Sequence, residues 1–199
     1  MNSKKRCKHC KQYFPAETMK KTPVGSFCCI EHAVEHAVEA RKKTKHKAHT
    51  EKKKTFRLSD RAHQFRLTKA VIQKWVTHTR DAGLPCISCG TTKDVIYSGG
   101  HYRTAGGHPE IALNSMNIHR QCLNYCNKNK SGNIGGDKHS IGFRVGLIER
   151  YGLEYVEWLE GHHESKKLTS ENLVEIRKLY NKLIRDDSKD DSEIRQKFL

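Results

Sequence analysis

Two close cysteine pairs, Cys86-x2-Cys89 and Cys122-x3-Cys126, bracket a segment that carries Gly99-Gly100-His101 and Asn117-Ile118-His119-Arg120-Gln121. Two pairs separated by a loop are the usual way to give four thiolates to one tetrahedral zinc ion, and the residues between them are then held on a rigid clip. The three-residue spacer of the second pair suits helical i, i+4 ligands as well as a knuckle. Other means of cohesion are scarce: hydrophobic residues make up 35% of the chain and mean hydropathy is −0.82, so metal clips would offset a thin core. Disulfides are the weaker alternative, because C-x2-C pairs are poorly placed to close long loops. The start, Met1-Asn2-Ser3-Lys4-Lys5-Arg6, has no apolar h-region, and no run approaches eighteen apolar residues. No membrane association is expected, and the expected compartment is the cytoplasm, where thiols stay reduced.

A second set precedes the first. Cys7-x2-Cys10 is followed by Cys28-Cys29-Ile30-Glu31-His32, so Cys7, Cys10, Cys28 and His32 can close a small finger over residues 1–40. Cys29 competes with Cys28, but i and i+4 share a helix face, which favours Cys28 with His32. His9 and His36 are expected to face solvent.

The formal charge of +16 is unevenly spread: 16 Lys/Arg against 6 Asp/Glu over residues 1–60, 11 against 4 over 61–140, and 11 against 12 over 141–199. A basic excess confined to two thirds of the chain calls for a polyanion, and nucleic acid is the expected one. The pattern from Ile30 to Lys54 is helical, without Gly or Pro, and continues into a basic helical arm over 41–60 that includes Arg41, Lys42, Lys43, Lys52, Lys53 and Lys54. Few apolar positions anchor it, so it reads as a solvated arm able to lie along phosphates, or as a plain linker helix.

Residues 61–140 form the expected core domain. A helix from Ser59 or Asp60 to Asp81 should bury Phe65, Val71, Ile72, Trp75 and Val76. Val95-Ile96-Tyr97 reads as a strand delivering Gly99-Gly100-His101 at its end, a second short strand is possible at 110–113, and a helix should begin near Cys122 and carry Asn127 and Lys130. A C-terminal helical region, 141–199, holds helices at about 141–151, 153–160 and 170–185. In the last, Leu173, Ile176, Leu179, Tyr180 and Leu183 form one stripe, either core or a dimer seam, and the tail from Asp186 reads as frayed.

Phosphodiester hydrolysis needs a base for water, a divalent ion to neutralise charge and cations to hold the strand. His101 sits where glycines let a nucleic acid approach closely, Asn127 follows a candidate zinc cysteine, and Arg103, Arg120, Lys128 and Lys130 surround them as phosphate contacts. The runs Gly99-Gly100-His101-Tyr102-Arg103-Thr104, Asn117-Ile118-His119-Arg120-Gln121-Cys122 and Cys126-Asn127-x2-Lys130-Ser131-Gly132-Asn133 resemble the phage NinG (Rap) family of recombination endonucleases. More distantly, the segment is similar to HNH and endonuclease VII nucleases.

The resemblance implies a zinc-stabilised ββα-metal (HNH, or His-Me finger) core in an α+β protein. It implies a structure-specific endonuclease using Mg2+ or Mn2+ on branched DNA such as Holliday junctions and D-loops, acting most simply as a homodimer. By that match His101 is the general base, Asn127 a ligand of the catalytic ion, Asn117 the residue that orients the His101 loop, and His119 a further metal ligand or phosphate contact. HNH nucleases carry Asp beside the catalytic His, and the NinG pattern has Asp three positions before it; here those positions are Gly100 and Ser98. Either another carboxylate, Asp94 or Asp137, reaches the site, or His119 and Asn127 hold the ion with water. The rival reading is a non-catalytic zinc-finger nucleic-acid-binding protein, which accounts equally for the charge and the cysteines.

Overall fold

The computed structural model describes residues 3–130 and 132–199, and the chain divides into two compact units, Met1–Arg57 and Leu58–Leu199. Ser131, part of the Lys130–Asn133 run, lies outside the described residues.

In the first unit β1 (Lys4–Arg6) pairs antiparallel with β2 (Tyr13–Pro15), and β3 (Lys20–Thr22) with β4 (Gly25–Phe27). Strands of three residues bury little. The core of this unit is Cys7, Met19 and Phe27, with Phe14 and Ala33 packed against it. Helix α1 (Ile30–Ser59) then runs for 30 residues without a single buried side chain. It runs through the expected basic arm to Ser59 because its Lys, Glu, Ala and His content favours helix without any packing. His9 and His36 are half-buried rather than solvent-facing: His9 pairs with Glu35 at 3.1 Å, and the ring of His36 lies 5.3 Å from that of Phe27.

The second unit is built around two apolar clusters with a hairpin between them. α2 (Arg61–Trp75) is capped by Asp60, whose carboxylate accepts from the His63 amide at 3.1 Å, and its last turn widens into a π-helical segment, Val76–Arg80. It packs on α5 (Ser170–Arg185), joining Ile72, Trp75 and Val76 to Leu173, Ile176 and Tyr180. The Thr68 hydroxyl donates to the Leu173 carbonyl at 2.8 Å across that contact. The α5 stripe is therefore spent on the core, with Leu179 and Leu183 partly buried at its edge. The tail is not frayed either: α6 (Ser192–Phe198) adds Ile194 and Phe198 to the same cluster, an i, i+4 apolar pair hidden in a charged segment. Tyr180 donates to Asp191 at 2.6 Å and anchors that segment.

The other cluster joins α3 (Phe143–Tyr151) and α4 (Leu153–Glu160) through Phe143, Leu147, Val156 and Leu159 to Ile87, Tyr102 and Ile111. Between the clusters β5 (Tyr97–His101) pairs antiparallel with β6 (Ile118–Cys122), Ser98 opposite Gln121 and His101 opposite Ile118. The two glycines make this position possible. A Cβ on Gly99 would stand 3.0 Å from the Gln73 backbone of α2, and one on Gly100 would stand 1.7 Å from Gln121 Oε1 on the other face. The glycines thus lie inside the strand, which starts at Tyr97, while Val95 and Ile96 remain exposed before it. No strand forms at 110–113, where the chain turns; the partner strand is the Ile118–Cys122 run, followed by a π-helical segment, Leu123–Asn129. The whole is a mixed α+β protein with small two-stranded sheets.

Candidate metal clusters and nucleic-acid interface

Both cysteine sets converge. The ligand atoms of Cys7, Cys10, Cys28 and His32 lie within 4.8 Å of one another, and so do those of Cys86, Cys89, Cys122 and Cys126. Cys28, and not Cys29, belongs to the first set, with its sulfur 2.9 Å from His32 Nδ1. A tetrahedron with Zn–S bonds of about 2.3 Å has edges of about 3.8 Å. The Cys89–Cys122 and Cys10–Cys28 sulfur separations are 3.8 and 3.9 Å. These distances fit zinc and lie far beyond a disulfide bond. Each cluster offers a donor set that can hold one zinc ion, with β6 and the π-helical segment supplying Cys122 and Cys126 and the turn after α2 supplying Cys86 and Cys89.

Around the second cluster, the Asn127 side-chain amide donates to Ser98 Oγ at 2.6 Å. Its Oδ1 has no protein partner among the described residues. His101, at the end of β5, places Nε2 2.9 Å from the Ala112 carbonyl. A carbonyl only accepts, so Nε2 carries the proton and the neutral ring is left with Nδ1 as its acceptor. Burial lowers the His101 pKa, against the opposing Ala112 hydrogen bond and with a smaller push from the Lys69 charge, so the ring is neutral at neutral pH.

Asn117, fully buried, staples the chain that follows His101: its Oδ1 accepts from the Arg103 amide at 2.7 Å, and its Nδ2 donates to the Arg103 carbonyl at 2.8 Å. Strand alternation sends Gly99 and His101 toward α2, and Ser98 and Gly100 toward Gln121. Among the described residues no hydrogen bond joins His101 to Asn127.

His119 has a different place from the expected one. It is completely buried, its Nε2 lies 2.9 Å from the Met116 carbonyl, and Arg80 and Asp81 face its Nδ1 at 3.3 and 3.9 Å. Burial, followed by the Arg80 charge, lowers its pKa to about 3. With both nitrogens occupied inside the protein, it is neither a ligand beside Asn127 nor a phosphate contact. Arg120 is also partly committed: its guanidinium lies 3.8 Å from the Tyr97 ring centre and donates to the Thr77 carbonyl at 3.4 Å.

Arg103 donates to the Glu160 carbonyl at 3.3 Å, Lys130 pairs with Asp137 at 3.3 Å, and Lys128 is exposed. Arg41, Lys42, Lys43, Lys52, Lys53 and Lys54 are all exposed on α1. Asp137 is held by Tyr125, Lys130 and the His139 amide, and Asp94 is exposed in the loop before β5; neither is bonded to Asn127.

Sequence reasoning misses the Arg80–Asp81 pair. Asp81 is buried, accepts from Arg80 Nε at 2.8 Å and from the Arg120 amide at 3.1 Å, while Arg80 donates to the Ser115 and Ile118 carbonyls at 2.7 and 2.6 Å. Burial would raise the Asp81 pKa, but Arg80 outweighs it and holds the carboxylate ionised. An adjacent Arg-Asp at a helix end reads as solvated; only the fold turns it inward to fix the segment that carries Ala112 and Asn117.

Fold and clusters together define a basic α+β protein with two sites able to hold zinc, of which the second frames a strand-borne histidine. The chain belongs to the NinG family: the family model described as Bacteriophage Lambda NinG protein matches residues 1–191. It is 31% identical to Protein ninG of Escherichia phage 933W over 92% of this chain and 94% of that protein. It is 40% identical to Protein ninG of Escherichia phage lambda over 54% of this chain and 49% of the other, and 39% identical to that of Salmonella phage P22 over the same shares. No solved structure matches. No helix among the described residues is long and apolar enough to cross a membrane.

Proposed function

We propose that this protein is a DNA endonuclease that cuts branched recombination intermediates, with His101 as the base that activates water. The observation that carries the reading is the state of His101: a neutral imidazole with Nε2–H spent on the Ala112 carbonyl and Nδ1 left as acceptor, at a strand end whose following chain is stapled by Asn117. That is what a general base at neutral pH requires. The hairpin followed by a helical segment on a four-cysteine cluster has the element order of a ββα-metal core, in keeping with the HNH and endonuclease VII likeness. Exposed lysines and arginines along α1 supply sequence-independent phosphate contacts suited to reading shape.

A catalytic Mg2+ or Mn2+ fits this chain only in part. Asn127 Oδ1 is one neutral oxygen, Ser98 offers a hydroxyl already accepting from Asn127, and no carboxylate joins them. Mg2+ held by so few protein atoms depends on water and substrate phosphate for the rest of its shell. Its contribution would be to neutralise charge on the phosphate; the step assigned to the protein is proton removal at His101 Nδ1.

The absent carboxylate favours one rival, a zinc-dependent branched-DNA-binding protein without activity. Incubating the zinc-loaded protein with an end-labelled four-way junction, with and without Mg2+ or Mn2+, separates them. Metal-dependent nicks absent from the His101→Ala variant support the enzyme, and tight junction binding with no cleavage under any of these ions contradicts it.

A further inference from the structure

The apolar pair in front of β5 includes the most exposed large apolar side chain among the described residues of the second unit, Ile96. Ile96 is 68% exposed, Val95 42% and Tyr125 37%. The pair is not a loose loop. The Leu123 amide donates to the Ile96 carbonyl at 2.8 Å, and the Tyr97 hydroxyl donates to the carbonyls of Thr91 and Lys93 at 3.1 and 2.9 Å. The Cys86 amide in turn holds the Thr91 carbonyl at 3.0 Å, so the segment is bolted to the four-cysteine cluster.

A cavity opens on each side of this ridge, and both cavities are lined by Lys93, Val95 and Ile96. One, of about 350 Å3, is walled by Tyr125, Asn124 and His139. The other, of about 470 Å3, is walled by His78 and by Arg120 lying on the Tyr97 ring. Each side therefore offers a flat aromatic or guanidinium face, and Lys93 lines both. Of the carboxylates nearby, Asp137 is already neutralised by Lys130, which leaves Asp94.

We infer that Val95 and Ile96 form a rigid wedge that enters DNA at a branch point, with unstacked bases received on either side, against Tyr125 and against the Arg120–Tyr97 stack. Apolar side chains are inserted between base steps elsewhere in DNA recognition, and aromatic and arginine faces accept bases of any sequence. The positive lining selects nucleic acid over an apolar protein surface. In intact duplex the bases are closed to such a wedge, and opening a step costs a few kcal/mol, least where pairing is already interrupted. The wedge thus supplies the branch selectivity that phosphate contacts along α1 cannot. It rests on the proposed DNA-cutting function and specifies which feature of the DNA is read.

The test uses the zinc-loaded full-length protein, without Mg2+ or Mn2+, on a four-way junction carrying 2-aminopurine beside the branch and on a linear duplex of the same sequence. Wild type is expected to prefer the junction and to change the 2-aminopurine fluorescence, which reports unstacking. Ile96→Ala removes an exposed side chain and leaves the fold intact; it is expected to bind the junction about tenfold less tightly, the factor that one stacked base contributes, with linear affinity unchanged and no fluorescence change. Tyr125→Ala removes one stacking face and is expected to lower junction affinity by about the same factor. Wild-type junction affinity and fluorescence response retained in Ile96→Ala overturn the wedge while leaving the DNA reading in place. Light scattering that shows Ile96→Ala splitting a dimer, with the fluorescence response unchanged, makes the ridge a subunit contact and also overturns it. Absence of any junction preference in wild type removes the DNA reading itself.

Discussion

The two four-ligand clusters are chemically near-identical and structurally opposite. Around Cys7, Cys10, Cys28 and His32 lie strands of three residues and a core of Cys7, Met19 and Phe27, so the cluster stands in for a hydrophobic interior. Around Cys86, Cys89, Cys122 and Cys126 lie two apolar clusters that contain Trp75, Tyr180, Phe143 and Leu147, among others, and would hold the unit without help. The same kind of donor set would therefore do two jobs: a zinc ion held in the first unit would make the fold, and one held in the second would brace the segments that carry Asn127 and Ile96.

The largest expected effect follows from that contrast. Cys7→Ser, or selective removal of the first metal, should abolish the fold of residues 3–29, since binding free energy at such sites is folding free energy. Limited proteolysis should then destroy the finger while residues 58–199 survive as a resistant fragment. Cys86→Ser should leave α2, α5 and α6 protected in hydrogen exchange and loosen only residues 86–98 and 122–129. If the second unit collapses as completely as the first, the division of roles is wrong.

A smaller effect measures how independent the second unit is. Leu173→Ala opens a cavity where α2 meets α5 and should cost about 2–5 kcal/mol in chemical denaturation. The first unit should stay folded, as seen by its own amide signals. Gly100→Ala forces a Cβ onto Gln121, whose amide is held by Ser88 Oγ and the Gly132 carbonyl at 2.6 and 2.7 Å, and should cost about 1–3 kcal/mol. Adding Gln121→Ala should return part of that stability, which a mere propensity effect of the alanine would not allow.

Acidification separates the units by a different route. His119 is held neutral, with its pKa lowered to about 3 against an ordinary 6.5. The unfolded chain then binds the proton first, so stability of the second unit falls as pH drops below about 6.5 and the decline levels off near 3. Asp81, ionised and held low by Arg80, adds a further decrease in the acid range below the usual carboxylate value. His119→Gln should flatten the part of the denaturation profile between pH 6.5 and 4. An unchanged slope would assign that pH dependence to other groups, His101 among them, whose pKa burial also lowers.

The smallest effect concerns the solvated arm. Replacing Lys52, Lys53 and Lys54 with glutamine should weaken binding to all DNA alike and lower the salt slope by about one for each phosphate no longer neutralised.

How far each feature is legible in the sequence depends on how local its cause is. Both metal sets can be read from spacing, since zinc ligation needs only ligand type and short-range separation, and α4 and α5 run over the expected residues, α5 with its Thr169 cap. The hairpin is misplaced in a sequence reading because Val95-Ile96 has the stronger strand signal, while the true strand is Gly-containing and defined by what packs on it, Gln73 on one face and Gln121 on the other. His119 resembles a ligand because burial is invisible in a motif. The Arg80–Asp81 clamp and the Ile194–Phe198 anchor depend on long-range contacts, and no short window contains their partners.

The division between a fold-making finger and a site-bearing second unit, with His101 as the base, meets its most direct test in single-turnover cleavage of a labelled four-way junction with Mg2+ at saturating protein. Wild type, His101→Ala and Cys7→Ser are compared after zinc content has been measured for each. The expected result is a metal-dependent rate in wild type, a rate at least about a hundredfold lower in His101→Ala with junction affinity kept, and in Cys7→Ser weaker binding but a near-normal rate once saturated. Equal rates in wild type and His101→Ala, or a chemical step that disappears with the finger, would contradict it.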